Sequence, residues 1–189
     1  MKNQRAFKGK ALCCFPDDFV LLDIETTGLS PDYEDIIEIS AIKVRDNKTV
    51  DTFSELINIK RPLSPFITSL TGITDKMLSC GDSAENVLYR FLDFAGDDIV
   101  MAHNANFDIN FLYDKCLDKL GRIFDNDFVD TLKLARKLLP HLTHKNLDAL
   151  ADYYNLPPRS EHRALGDCEM TLEIYYRLKK QAEKNALYK

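Results

Sequence analysis

Paired cysteines, a long apolar run and an excess of positive charge are all missing from this chain of 189 residues. Its five cysteines (Cys13, Cys14, Cys80, Cys116 and Cys168) are odd in number and lack C-x-x-C spacing. That argues against both a disulfide framework and a zinc site. No apolar stretch approaches transmembrane length. The short apolar stretch Ala11 to Phe15, behind Lys2, Arg5, Lys8 and Lys10, is too brief for a signal-peptide core. A reduced cytoplasm, with no membrane association, is therefore expected. With a net charge of −5, the surface as a whole does not hold a polyanion by bulk electrostatics. Any such partner must meet a local basic patch or metal ions. Internal repeats, low-complexity tracts and interdomain linkers are absent as well. At 45% hydrophobic and 29% charged residues, the composition is that of a globular protein able to bury a core without disulfides.

What is present is organised around Phe19-Val20-Leu21-Leu22-Asp23-Ile24-Glu25-Thr26-Thr27-Gly28. An apolar run ended by a glycine turn reads as a strand buried on both faces. Side chains alternate along a strand, so Asp23 and Glu25 share one side. Two carboxylates brought together at the buried end of a central strand repel unless a cation lies between them, and a hard metal ion is the simplest candidate.

Residues 1–17 read as a weakly ordered basic lead-in. A second strand is expected over about 35–45, a turn at Asp46-Asn47, and a hairpin return from Val50 to Ile57. Together these make an antiparallel meander. Residues 60–74, with Pro62 and Pro65, read as a loop ending in Leu70-Thr71-Gly72-Ile73-Thr74. Ser83 is placed to cap a helix carrying Val87, Leu88, Phe91, Leu92 and Phe94. A short strand from Asp98 to Ala102 leads into His103-Asn104-Ala105-Asn106-Phe107-Asp108. The stripe of Ile109, Leu112, Cys116 and Leu120 then puts Asp108 in the first turn of a helix. Phe128 to Asp130 is a further strand, followed by a helix to about Leu139 that Pro140 stops. A short helix over 145–153 and a final one over about 164–180 complete an α/β domain with a mixed sheet over 18–180. Residues 181–189 remain as a tail.

Each acidic feature has an ordinary reading when taken singly. Strand ends often carry two acids, and an acid in the first turn of a helix stabilises the helix macrodipole. His103, Asn104 and Asn106 nevertheless crowd polar groups into a strand-to-helix loop, where α/β sheets place ligands. On one continuous helix, His162 and Asp167 would lie about 140° apart. The better arrangement keeps His162 in a loop and Asp167 in the first turns of the last helix, which suits a base approaching a water.

The four acids and the histidine together resemble the DEDD exonucleases, in the branch whose last motif carries histidine, which includes proofreading subunits of bacterial DNA polymerase III. Asp23-Ile24-Glu25-Thr26-Thr27-Gly28 matches the first motif. His103-Asn104-Ala105-Asn106-Phe107-Asp108 matches the second, and His162-Arg163-Ala164-Leu165-Gly166-Asp167 the third. The resemblance covers about residues 18–180 and implies a ribonuclease H-like fold, with an antiparallel meander and parallel strands flanked by helices. It also implies two-metal hydrolysis with Mg²⁺ or Mn²⁺, the ions ~4 Å apart. By matching position, Asp23, Glu25 and Asp167 would bind one ion, with Asp23 also reaching the second. Asp108 would act on that second ion through water. His162, with a reference pKa of about 6.5, would take the proton from the attacking water. Thr26, Thr27 and Gly28 would meet the terminal nucleotide, as would His103 and Asn104. Leu70, Ile73 and Phe107 are candidates to stack on its base or to pack in the core.

Two rival readings carry less. A haloacid-dehalogenase-type phosphatase needs a second Asp where Glu25 stands, and its later G-D-x-x-x-D motif would end at Met101. A silent nucleic-acid-binding or polymerase-associated module would be expected to have lost an acid, and all four are present. The Thr26-Thr27-Gly28 form and the short remainder after the last helix favour a stand-alone 3′→5′ exonuclease on single-stranded DNA. An RNA-directed enzyme, and a polymerase engaged in trans, stay open. Arg136, Lys137, His141, His144 and Lys145 form the densest basic segment, read either as a strand-backbone track or as a solvated helix face.

Overall fold

A computed structural model describes residues 5–157 and 163–185. Six strands form one sheet in the order β1-β6-β5-β2-β3-β4. The carboxylate-bearing segment is its central strand β2 (Phe19–Thr26). As the continuous apolar run requires, Phe19 through Leu22 are buried, being within one per cent of fully inaccessible. β3 (Ile36–Arg45) and β4 (Lys48–Leu56) continue from it as the expected antiparallel meander. Asp46 and Asn47 make the hairpin turn with φ values of 50° and 58°, the left-handed conformation that two-residue hairpins need and that Asp and Asn tolerate. β5 (Val100–Ala102) and β6 (Phe128–Asp130) pair in parallel on the other side of β2.

The lead-in departs from expectation. Ala11–Leu12 form an edge strand, β1, parallel to β6. The residues before it are tied down, with Arg5 making a forked pair to Asp114 at 2.6 and 2.9 Å. Lys8 donates to Asn106 and Asn110 at 2.7 and 2.9 Å. Basic composition concealed a segment in which Arg5 and Lys8 each find a partner on one helix.

The supposed loop over 60–74 also contains structure. α1 (Pro65–Thr71) starts from Ser64, whose hydroxyl accepts from the Ile67 N–H, and ends at Gly72 with φ 71°. Proline in the first helical position and glycine just past the end are helix punctuation as much as loop signals. α2 (Asp75–Leu78) follows directly. The Ser83-capped α3 (Ala84–Ala95) buries Val87, Leu88, Phe91 and Leu92 as its spacing predicts. α4 (Asn106–Leu120) packs beside α3 on one face of the sheet. α5 (Thr131–Leu138), α6 (Leu147–Tyr154) and α7 (Ala164–Lys184) cover the other. α7 runs past the expected end near residue 180, to Lys184. Tyr175 and Tyr176 anchor it by donating to the Pro16 and Asn47 carbonyls. The two apolar layers sandwich β2, so the carboxylates at its far end are held by a strand packed on both sides.

Candidate metal centre

Two chain segments converge at the C-terminal end of β2. Asp23 and Glu25 project from the strand itself, and Asp167 comes from the first turn of α7. One carboxylate oxygen from each lies within 4.8 Å of the others. Oxygens bound to one Mg²⁺ or Mn²⁺ stand roughly 4.2 Å apart at most if each is about 2.1 Å from the ion. The cluster is therefore close to ligating dimensions, and its all-oxygen chemistry fits a hard divalent cation rather than zinc.

Asp108 is more deeply buried, at 3% exposure, and stands beside this trio rather than within it. β5 ends at Ala102, leaving the β2 edge unpaired beyond it. The Asp108 carboxylate takes up that edge by accepting from the Ile24 N–H and from its own backbone N–H. Burial raises its pKa to about 8 against those two bonds, with Asp130 and Glu25 adding repulsion. Asp23 is pushed up strongly as well, by burial first and then by the charges of Asp108, Asp167, Glu25 and Glu38. Carboxyls this crowded hold their protons until a cation replaces them.

The turn after β2 is braced from inside. The Thr26 hydroxyl donates to the Gly28 carbonyl at 2.7 Å and the Thr27 hydroxyl donates to Glu34 at 2.5 Å. Thr27 Oγ1 also accepts from the Asp35 N–H and from Arg61. A Cβ on Gly28 would lie 2.8 Å from the Glu34 side chain, so glycine lets that carboxylate fold across the turn. The two hydroxyls expected to face a nucleotide donate within the protein instead.

The second motif shows a similar division. His103 bridges Thr131 Oγ1 and the Lys145 carbonyl, each at 2.9 Å, so both ring nitrogens serve the scaffold. Asn104 is exposed, with φ 65°, and its N–H donates to Asp130. Phe107 is partly buried, its ring 5.0 Å from that of Phe111. Of the two α1-end candidates, Leu70 is half exposed, whereas Ile73 is fully buried with Ile37, Leu63, Ile67 and Leu78. Ile73 is thus a core residue and does not reach a base. Phe66, one turn before Leu70 and 71% exposed, shares its helix face, a relation that a loop reading of residues 60–74 hides. His162 lies outside the described residues.

The basic segment is divided between an exposed α5 face, carrying Arg136 and Lys137, and a loop. In that loop His141 packs near Tyr153 and Lys145 donates to the Leu142 carbonyl. Reading motifs alone also overlooked Glu38, buried at 1% and paired with Arg163. Its signal was present, since Glu38 and Ser40 interrupt the apolar run of β3 on one face.

A mixed sheet with acids gathered on its central strand and helices on both faces defines a ribonuclease H-like exonuclease fold. The chain belongs to the RNase_T exonuclease family, whose model matches residues 20–175. It is 42% identical over 170 residues to a PolC-type DNA polymerase III of Caldanaerobacter subterraneus subsp. tengcongensis and 40% identical over 171 residues to that of Thermotoga maritima. Each match takes in 90% of this chain but only 12% of the polymerase. Among solved structures, Exonuclease X in complex with 5′ overhanging duplex DNA superposes with a TM-score of 0.69 at 29% identity, covering 87% of this chain and 93% of that one. E. coli Exonuclease I in complex with a dA16 oligonucleotide gives a TM-score of 0.78 at 15% identity, covering 89% and 42%. That second likeness is one of fold. Among the described residues, no helix is long and apolar enough to cross a membrane.

Proposed function

We propose that this chain is a metal-dependent 3′→5′ exonuclease that removes nucleoside monophosphates from single-stranded DNA. The convergence of Asp23, Glu25 and Asp167 oxygens within 4.8 Å, with Asp108 alongside, is the observation that carries this reading. These residues would hold two Mg²⁺ or Mn²⁺ ions, Asp23, Glu25 and Asp167 at one and Asp108 beside the other. Bound divalent cations supply Lewis-acid stabilisation of the attacking and leaving oxygens in phosphodiester hydrolysis.

The chain's own groups supply the remainder. His162 takes the proton from the attacking water, as its place in the third motif implies. The Thr26-Thr27-Gly28 turn offers backbone to the terminal nucleotide, Asn104 is exposed beside the second motif, and Leu70 and Phe107 offer apolar surface to its base. The negative total charge is compatible with a polyanionic substrate because cations at the site meet the phosphate. DNA is favoured over RNA by the PolC-type polymerase relatives and by the DNA-bound Exonuclease X structure. The same relatives make association with a DNA polymerase part of this reading. None of the five cysteines is in a disulfide, which fits a cytoplasmic setting.

The test uses matched 5′-labelled DNA and RNA oligonucleotides with Mg²⁺ or Mn²⁺, comparing the wild type with Asp167→Ala. A ladder shortening from the 3′ end, faster on DNA and absent in the variant and with EDTA, is expected. Faster loss of RNA would reassign the substrate, and no cleavage of either would favour a binding module.

A further inference from the structure

We propose that Glu38 and Arg163 are a positioning pair that sets Asp167 into the metal-binding cluster, an inference that rests on the metal-dependent reading above. Strand β3 lies antiparallel to β2 with Glu38 directly across from Glu25 and Ser40 directly across from Asp23. The same two positions of β3 grip α7. Glu38 accepts from Arg163 Nε through both oxygens, at 3.2 and 3.1 Å, from Arg163 Nη2 through a short contact, and from the Ala164 N–H at 3.2 Å. The Cys168 thiol donates to the Ser40 carbonyl at 3.4 Å. Asp167 lies between these two attachments, its N–H bonded to the Arg163 carbonyl. The helix is therefore registered against the two β3 residues that face the two acids of β2.

The burial of Glu38 makes the arrangement specific. At 1% exposure its charge has little water, and the guanidinium fork with the Ala164 N–H replaces that solvation. The N-cap residue Arg163 makes no side-chain capping bond of its own, so the Glu38 carboxylate on β3 satisfies the first N–H of α7. A lysine at 163 would keep the charge but lose the planar two-nitrogen fork. Groups that orient metal-ligating carboxylates change metal affinity by 10–100-fold when removed. Both partners act on the start of α7, one turn from Asp167, so the effect of the pair passes through Asp167.

Calorimetric titration with Mn²⁺ tests this on the whole chain without substrate. Glu38→Gln and Arg163→Lys are compared with the wild type and with Phe124→Leu, a change in the core cluster beneath α3 and α4. Both clamp variants are expected to bind Mn²⁺ at least about 10-fold more weakly, while Phe124→Leu keeps wild-type affinity even if its melting temperature falls as far. Wild-type affinity in Glu38→Gln would overturn the proposal, as would an equal loss in Phe124→Leu, which would make the effect one of general stability. If Glu38→Gln fails to fold, Arg163→Lys carries the same decision. Absence of Mn²⁺ binding by the wild type would instead overturn the functional reading, and this proposal with it.

Discussion

Stripping metal from the protein should make its stability fall as pH rises. Asp108 holds its proton to about pH 8 in the fold, whereas the unfolded chain releases it near 3.9. Between those values the native state binds more protons than the unfolded state, so raising pH favours unfolding. One such carboxyl contributes a slope of about −1.4 kcal/mol per pH unit, or about 3–6 °C in melting temperature for a chain of this size. Asp23, raised in the same direction, steepens the slope. The carboxyls whose pKa values are lowered, Asp17, Asp35 and Asp82, act in the opposite sense but have ionised by about pH 5. Thermal melts in EDTA from pH 5.5 to 8 are therefore expected to decline. Saturating Mn²⁺ should raise every melt and most at high pH, because deprotonated carboxylates are the ligands. Asp108→Asn should flatten the EDTA profile. A wild-type melting temperature that is level or rising across this window in EDTA would refute the account of the crowded acids.

Two further outcomes separate packing from recognition on α1 and the turn after it. Ile73→Ala should cost about 2–5 kcal/mol in urea unfolding, since it empties a buried site. An unchanged midpoint would show that Ile73 is not core. Phe66→Ala and Leu70→Ala should leave stability within about 0.5 kcal/mol while raising KM for a single-stranded oligonucleotide about 5-fold, from stacking worth ~1 kcal/mol. Steady-state kinetics unchanged in both would remove this face from the substrate path.

Much of this architecture is legible in the chain because apolar continuity and turn chemistry agree. Phe19 to Leu22 can only be a doubly buried strand, and Asp46-Asn47 can only be a tight hairpin. The Ser83 cap and the Ile109–Leu112–Cys116 stripe place their helices with equal economy. What the sequence conceals depends on partners distant along the chain. Ala11–Leu12 become a strand only because β6 offers an edge, and Pro65 starts a helix because Ser64 caps it. Ile73 and Leu70 read alike in sequence, yet one faces the core and the other solvent. Within the site, the alternation on β2 puts Asp23 and Glu25 together from local geometry alone. That Asp167 joins them, and that Arg163 meets Glu38, depends on how α7 crosses the sheet.

The claim that this chain trims nucleic acid from a 3′ end is tested most directly by blocking one end at a time. Three single-stranded DNAs of one sequence are incubated with Mg²⁺, one blocked at its 5′ end, one at its 3′ end and one closed into a circle. Degradation of the 5′-blocked strand alone, to mononucleotides, is the predicted result. Cutting of the circle, or loss of the 3′-blocked strand with the 5′-blocked one intact, would contradict it.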